Sequence, residues 1–392
     1  MRRPLISILF FVFSFLISLI YFLSFVSAQT STQWNTMYVH GSGWCVIQTN
    51  DGGYALAGDS NNQFLLLKVN SSGLIQLEKT YGEGTAYSII ETSDGGYALA
   101  GTGVNINFVK TDSEGNLEWS KHYHKSDIPF HAQSLIQTND GGYALTGWIS
   151  NIFNSPHWDW TIKTDSNGNI LWNKTFGLRS GVSHGNEILQ DDDGQYMLAA
   201  NGNISKLDSY GSLQWTRSCA VASCMIKTDD GGYLVVAGTG AALIKTDGDG
   251  NIEWHQTYRF QGARWSFFHS ASQSSIGGYA IAGVTYPVYD GLAWIVKVDD
   301  YGNVEGEITF PPESGINNNS HWIIESNDGD YVFTGSKNAN NGEGYVWLAK
   351  IDVSIIPEFP SWTPLLITLV AVVGITFVYR HKLKKQRLLD DI

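Results

Sequence analysis

Between residues 33 and 352 the chain reads as short apolar runs separated by turn-forming clusters of Asp, Asn, Ser and Gly. One stretch shows the pattern: runs at 87–92, 97–101, 106–110 and 116–123, each five to eight residues long, predict four successive β-strands. We call them inner, second, third and outer. Inner runs carry two apolar residues in a row (Val46-Ile47, Ile89-Ile90, Leu135-Ile136, Ile323-Ile324), so both faces of the strand are expected to be buried. Second runs are rich in small residues such as Ala55, Ala57 and Gly58, which would allow close approach near the axis of a ring of sheets.

The four-run unit recurs. An Asp-Gly-Gly-Tyr motif, or a degenerate copy of it, ends at Tyr54, Tyr97, Tyr143, Tyr196, Tyr233, Tyr279 and Tyr331, with spacings of 43, 46, 53, 37, 46 and 52 residues. That period belongs with propeller and kelch repeats rather than helical solenoids. The glycines supply the positive φ of a tight hairpin between inner and second strands. A second fixed turn starts at Lys68, Lys110, Lys163, Lys206, Lys245, Lys297 and Lys350. Glycine follows five residues after six of them, and tryptophan nine residues after four (Trp119, Trp172, Trp215, Trp254). A bulky aromatic at one place in the outer strands predicts packing between adjacent sheets. The expected fold is all-β, a seven-bladed β-propeller over residues 29–356. Its last repeat lacks an outer strand, and residues 33–38, which look like 171–176, are expected to supply it and close the ring.

The motif pair Asp-Gly-Gly-Tyr and Lys-Thr-Asp-x-x-Gly-Asn-x-x-Trp resembles the β-propeller repeats of secreted archaeal and bacterial surface proteins, over residues 33–352. Its third and outer strands are also similar to quinoprotein-type propeller repeats, which carry an Asp-x-x-x-Gly turn before a tryptophan. The resemblance implies a shared blade. It carries over no quinone site and no cofactor, because no motif here specifies one.

The two ends set location. Residues 1–28 combine Arg2-Arg3, an apolar stretch from Leu5 to Val26 and a cleavable Val-Ser-Ala, which reads as a secretory signal, with an uncleaved anchor as the alternative. Residues 357–392 hold Pro357-Glu358-Phe359-Pro360, an 18-residue stretch from Trp362 to Tyr379 and a basic cluster. As a helix that stretch spans about 27 Å, enough for a bilayer core. The basic end is expected inside the cell and the repeats outside. This tail resembles archaeal Pro-Glu-Phe sorting signals, with a plain membrane anchor as the alternative. Residues 29–356 hold 17 basic against 34 acidic residues, a net charge of about −17 that argues against nucleic acid as a partner. Sequons at Asn70, Asn173, Asn203 and Asn318 are candidate glycan acceptors, expected to be exposed. Three cysteines are too few for a disulfide framework; Cys219 and Cys224 could bridge a short loop.

Alternating strand directions place both fixed turns on one end of the ring and the variable loops on the other. The variable end carries Trp158, Arg264, Trp265 and Tyr289, a mixture suited to a surface glycan or a protein partner. His131, His184, His269 and His321 enter inner strands near the mouth of the expected channel, where imidazoles could bind ligand, hold a metal or act as acid and base. No phosphate loop, serine elbow or paired zinc motif is present, and the calcium-like Asp247–Asn251 lacks the glycine and glutamate such a loop needs. The expected function is a surface-displayed binding or adhesion module. An extracytoplasmic lyase or hydrolase acting on polysaccharide is the alternative.

Overall fold

The structure is a computed structural model, and it describes residues 32–352 except 105–106, 126–127, 150–156, 180–186, 201, 239, 288–289, 311–316 and 339–343. The expected signal and C-terminal anchor lie outside the described residues. Among those described, no helix is long and apolar enough to cross a membrane, and every regular element is a β-strand.

Among the described residues neighbouring strands pair antiparallel in three four-stranded sheets, one of five strands and one of ten that joins several four-stranded meanders. The first strands are β1 (Thr32–Gln48), β2 (Tyr54–Ser60), β3 (Gln63–Val69), β4 (Ile75–Glu91), β5 (Tyr97–Gly103), β6 (Phe108–Thr111) and β7 (Leu117–Lys121). Two of them belong to two meanders at once. The first half of β4 pairs with β3 and its second half with β5. The expected outer and inner strands are thus one continuous strand here, bent where Gly82 and Gly84 take φ of 58° and 141°. β1 divides in the same way. Its residues from Gly41 onward pair with β2, whereas Thr32, Trp34, Asn35, Thr36 and Met37 pair with Ile351, Lys350, Ala349, Leu348 and Trp347 of the strand Gly344–Ile351. The N-terminal segment is therefore the fourth strand of the last meander, and Trp347 Nε1 donates to Asn35 Oδ1 at 2.6 Å.

Burial explains the apolar doublets. Second and third strands are enclosed on both faces, as in the run Tyr54 to Ala57, all at 1% exposure or less. Each apolar cluster draws on two successive meanders. One joins Ala55, Phe64 and Leu66 to Ile89, Leu99 and Val109, and another joins the last meander to the first through Val332, Val346, Leu348, Val46, Leu56 and Leu65. The sheets follow one another around a closed circle.

Polar contacts at the turn end tie the same neighbours. Asn50, Ser93, Asn139, Asp229 and Asn327 donate backbone N–H bonds of 2.8–2.9 Å to Glu91, Gln137, Gln190, Gln273 and Gln48, each the last residue of the next inner strand. Where that residue is Lys227, the donor and acceptor roles reverse and its ammonium pairs with Asp192 at 3.2 Å. Within a sheet the two fixed turns are locked together. Lys110, 2% exposed, pairs with Asp94 of the first turn at 2.9 Å and with Glu118 of the outer strand at 3.0 Å, and donates to Thr111 O at 2.8 Å. Lys163–Asp140, Lys245–Asp230, Lys68–Asp51 and Lys350–Asp328 repeat the pairing. Asp51 is held down to about 2, first by Lys68 and then by Thr49.

The glycine of the second turn has a neighbour's tryptophan against it. Gly211 has φ of 75°, and a Cβ there would lie 2.7 Å from the Trp172 ring of the preceding outer strand. Gly95 has φ of 82° with open space around it. Gly95→Ala should cost about 1–2 kcal/mol, the left-handed backbone penalty alone. Gly211→Ala should cost that plus the displacement of Trp172, so its midpoint in urea should fall clearly below that of Gly95→Ala. Equal midpoints for the two variants would remove the packing role assigned to the turn glycine.

Candidate functional site

Inner strands start at the end opposite the fixed turns, and most are interrupted there by one extra residue. Register shifts fall between Gly43 and Cys45, Ala86 and Ser88, Ala222 and Cys224, Phe268 and Ser270, and Ser320 and Trp322. The β1–β2 pairing and its counterparts thus leave Trp44, Tyr87, Ser223, His269 and His321 as bulged residues. A bulge re-aims a side chain that the ladder would otherwise hold in line.

These bulged side chains reach the next sheet. Ser223 Oγ donates to Phe268 O at 3.2 Å, His269 Nδ1 to Ser320 O at 2.8 Å, and His321 Nδ1 to Gly43 O at 2.8 Å. A carbonyl only accepts, so the proton sits on Nδ1 of both histidines and Nε2 is left as an acceptor. Burial pushes the His269 pKa below its usual value and that of His321 down to about 3, the latter aided by its imidazole neighbour. Both rings are neutral at ordinary pH. Their centroids are 5.8 Å apart, and His321 stacks on Trp44 at 4.2 Å and 7°. Trp44 in turn meets Tyr87 edge to face at 5.2 Å. Burial raises the Asp59 carboxyl above its usual range, and the buried Trp44 Nε1 has no hydrogen-bond partner among the described residues.

One residue further along each inner strand lies a second girdle. Ser88, Ser134 and Ser270 accept backbone N–H bonds from Leu135, Ile188 and Ile323 of the following sheet at 3.2, 3.3 and 3.3 Å. The sulfurs of Cys45 and Cys224 take the equivalent bonds from Ile89 and Ala271. Two members of this ring differ. Glu187 takes the hydrogen bond of the Ser134 hydroxyl, and burial raises its carboxyl to about 7, against that bond. Trp322 is the large member and packs against three apolar clusters, including those that contain Cys45, Val46 and Cys224. Both residues stand nine positions before their repeat tyrosine, so the same offset that aligns the serines and cysteines would have found them.

His131 sits higher on its strand. It stacks on Trp148 at 3.8 Å and 14°, and its Nδ1 lies 3.1 Å from Thr102 Oγ1. The structure therefore brings His269 and His321 together and places His131 in a separate contact; His184 and Tyr289 lie outside the described residues. Among those described, no group of three or more His, Cys, Asp or Glu is assembled to hold a metal. Trp158 is half-buried in the cluster around Phe108 and Trp160. Trp265 is 54% exposed, with the Arg264 guanidinium 4.6 Å from its ring centroid.

Two expectations need correction. Cys219 and Cys224 are free thiols, Cys224 being fully buried with its sulfur committed to the neighbouring sheet. Asn318 is 2% exposed, its Nδ2 donating to Phe310 O at 3.4 Å, so it does not share the exposure expected of a glycan acceptor. Asn70 is occupied in its turn, its Oδ1 accepting from Ser72 and Leu74 N–H. Asn173 is exposed and accepts from Trp160 Nε1 at 3.1 Å, and Asn203 is half-buried.

No family model matches the chain, and no curated protein does. Solved structures do. One titled "YCF48 bound to D1 peptide" has a TM-score of 0.52 at 12% identity, over 82% of this chain and 97% of that one. The C-terminal WD40 domain of Sif2 has a TM-score of 0.50 at 11% identity, over 81% and 97%. The likeness identifies the fold as a propeller.

Glu187 generates a test. Its pKa in the folded protein, about 7, lies above that of an unfolded glutamate, near 4.3. Folding favours the protonated form, so its contribution is complete below the unfolded value and is lost as pH rises through about 7. Denaturation midpoints of wild type and Glu187→Gln, measured from about pH 5 to about pH 8, should diverge, with wild type losing ground as pH rises. Parallel curves would show that the carboxyl is not titrating in a buried setting.

Proposed function

We propose that this chain is a seven-bladed propeller, displayed on the outer face of the cell membrane, that acts as a binding or adhesion module through its variable end. The four-stranded meanders, seven repeat tyrosines and propeller neighbours support the blade count. The export signal, the apolar tail and its basic end support the location.

The observation that carries the binding role is the contrast between the two ends. The turn end spends backbone donors on the neighbouring sheet, while Tyr210, Tyr301 and Ile276 stand exposed there singly. The variable end exposes Trp265 under Arg264 and carries the contacting rings of Trp44, Tyr87, His269 and His321. Aromatics and arginine dominate the energetic centres of protein recognition surfaces, and a planar indole equally suits a sugar face. The enzymatic alternative gains no support from the histidines. His269 and His321 are neutral, with their N–H groups spent on backbone carbonyls, and neither is paired with a carboxylate that could relay a proton.

Glycan and peptide arrays probed with the full chain should give hits. Trp265→Ala should weaken them at least about tenfold, a loss of about 1.4 kcal/mol, without product formation from any hit. Tyr301→Ala, on the exposed turn end, should leave them unchanged. Binding that responds to Tyr301 and not to Trp265 would assign the partner to the wrong end. Turnover abolished by His131→Ala would replace a binding module by an enzyme.

A further inference from the structure

We propose that the cleft between the first two meanders is a second binding site, which receives the tryptophan side chain of a partner polypeptide. It lies between outer strands rather than at the variable end, so it goes beyond the binding role above. Six of the second turns carry a glycine on which the preceding outer strand packs. Against five of them, Gly73, Gly168, Gly211, Gly250 and Gly302, stands an indole, that of Trp34, Trp119, Trp172, Trp215 and Trp254. A Cβ on any of these glycines would lie 2.5–3.0 Å from the ring. The sixth differs: Gly115 meets Leu77, whose Cδ2 would lie 2.7 Å from such a Cβ.

At that boundary a cavity of about 650 Å³ opens. Its size is that of a ligand pocket and exceeds a single ring. Tyr81 and Gly115 line it together with Val104 and Leu117, which are 64% and 52% exposed. The Tyr81 hydroxyl donates to Gly115 O at 2.7 Å, as Tyr38, Tyr123 and Tyr258 donate to Gly73, Gly168 and Gly302. The wall is therefore built as at the other boundaries, and only the indole is missing. The acceptor for that indole is kept as well. Trp34, Trp172 and Trp254 donate through Nε1 to the carbonyls of Ser71, Ser209 and Asp300, each two places before the turn glycine, at 3.0–3.2 Å. The corresponding carbonyl here is that of Ser113, and Leu77 has no N–H to give it. A flat apolar ring with one N–H donor is what the chain supplies at the other five boundaries and lacks at this one.

The surroundings favour a polypeptide as the source of the ring. β7, whose Leu117 and Ser120 line the cavity, stands at the end of its sheet, with an unpaired edge that an extended segment can join. Lys79 and Glu83 line it too, four positions apart on β4, and neither takes part in an ion pair among the described residues. They match residues of opposite sign on either side of the tryptophan. A buried tryptophan at the centre with polar contacts around it is the usual arrangement of an energetic centre in protein recognition.

The test uses the full chain and three probes, Gly-Gly-Trp-Gly-Gly, the same peptide with leucine, and free indole, with binding followed by calorimetry. The tryptophan peptide should bind at least about tenfold more tightly than either of the others. Leu77→Trp fills the cavity from within, so its urea midpoint should rise above that of wild type and it should no longer bind the tryptophan peptide. Leu117→Asp, at a half-exposed position, should keep the wild-type midpoint and weaken the peptide at least about tenfold. If Leu77→Trp folds poorly, Leu117→Asp and the wild-type comparison of tryptophan with leucine still decide. Equal affinity for the two peptides, undiminished binding by Leu117→Asp, or no saturable response to any probe would overturn the site. Free indole binding as tightly as the peptide would replace the polypeptide by a small aromatic ligand. Trp265→Ala should leave the peptide's affinity unchanged; a loss there would move the peptide to the variable end and sink the cleft.

Discussion

The buried lysine of each sheet is the constraint on which the repeat depends. Lys110 lies at 2% exposure and Lys163, Lys245 and Lys350 at 3% or less, so each ammonium must be neutralised within the sheet or the strand cannot stay there. The turn aspartate does this from one side and, at Lys110 and Lys245, the outer-strand glutamate from the other. Since the aspartate belongs to the hairpin between inner and second strands, the pair welds the two fixed turns into one unit. Two copies depart from this pairing. At Ile276 the missing carboxylate is replaced by Asp300 on the Gly278 N–H, and Lys297 keeps Glu305 at 3.0 Å. The copy at Gly194 keeps its aspartate as Asp193, but Lys206 pairs instead with Asp191, two places earlier, at 3.3 Å.

Sheets closed in this way at one end leave the other free to vary. The turn end spends its backbone donors on the neighbouring sheet and its tryptophans on the neighbour's glycine. At the opposite end the strands are bulged, and the extra residue can differ from sheet to sheet, from serine to histidine to tryptophan, without disturbing the ladder. Variation at that end is thereby placed at bulged positions outside the strand ladder.

The strand pattern, the hairpin glycines and the N-terminal completion of the last sheet were legible because each is local or periodic. Trp34 announced itself by its likeness to Trp172, and the packing role of the outer tryptophans followed from their spacing. The site was less legible. His269 and His321 were found by offset, but His131 shares neither their bulge nor their contacts, because a difference of two residues on a strand moves a side chain along the axis by one full pleat. Trp44, Tyr87, Asp59, Glu187 and Trp322 went unnoticed. They matter through contacts between sheets, and a bulge leaves no mark in the alternation of apolar and polar residues.

The division of β1 between the first and last meanders has a consequence in time. Asn35 and Trp347, bonded in the finished structure, are 312 positions apart in the chain. At ordinary rates of synthesis, roughly 15 to 60 s separate the appearance of one from the other. Throughout that interval residues 32–40 are an unpaired β-edge whose rightful neighbour has not yet been made. Long-range pairing of this kind is slow and open to association with other chains. The bond that completes the circle is thus also the last to become available, and the nascent chain must keep its first strand out of other hands until then.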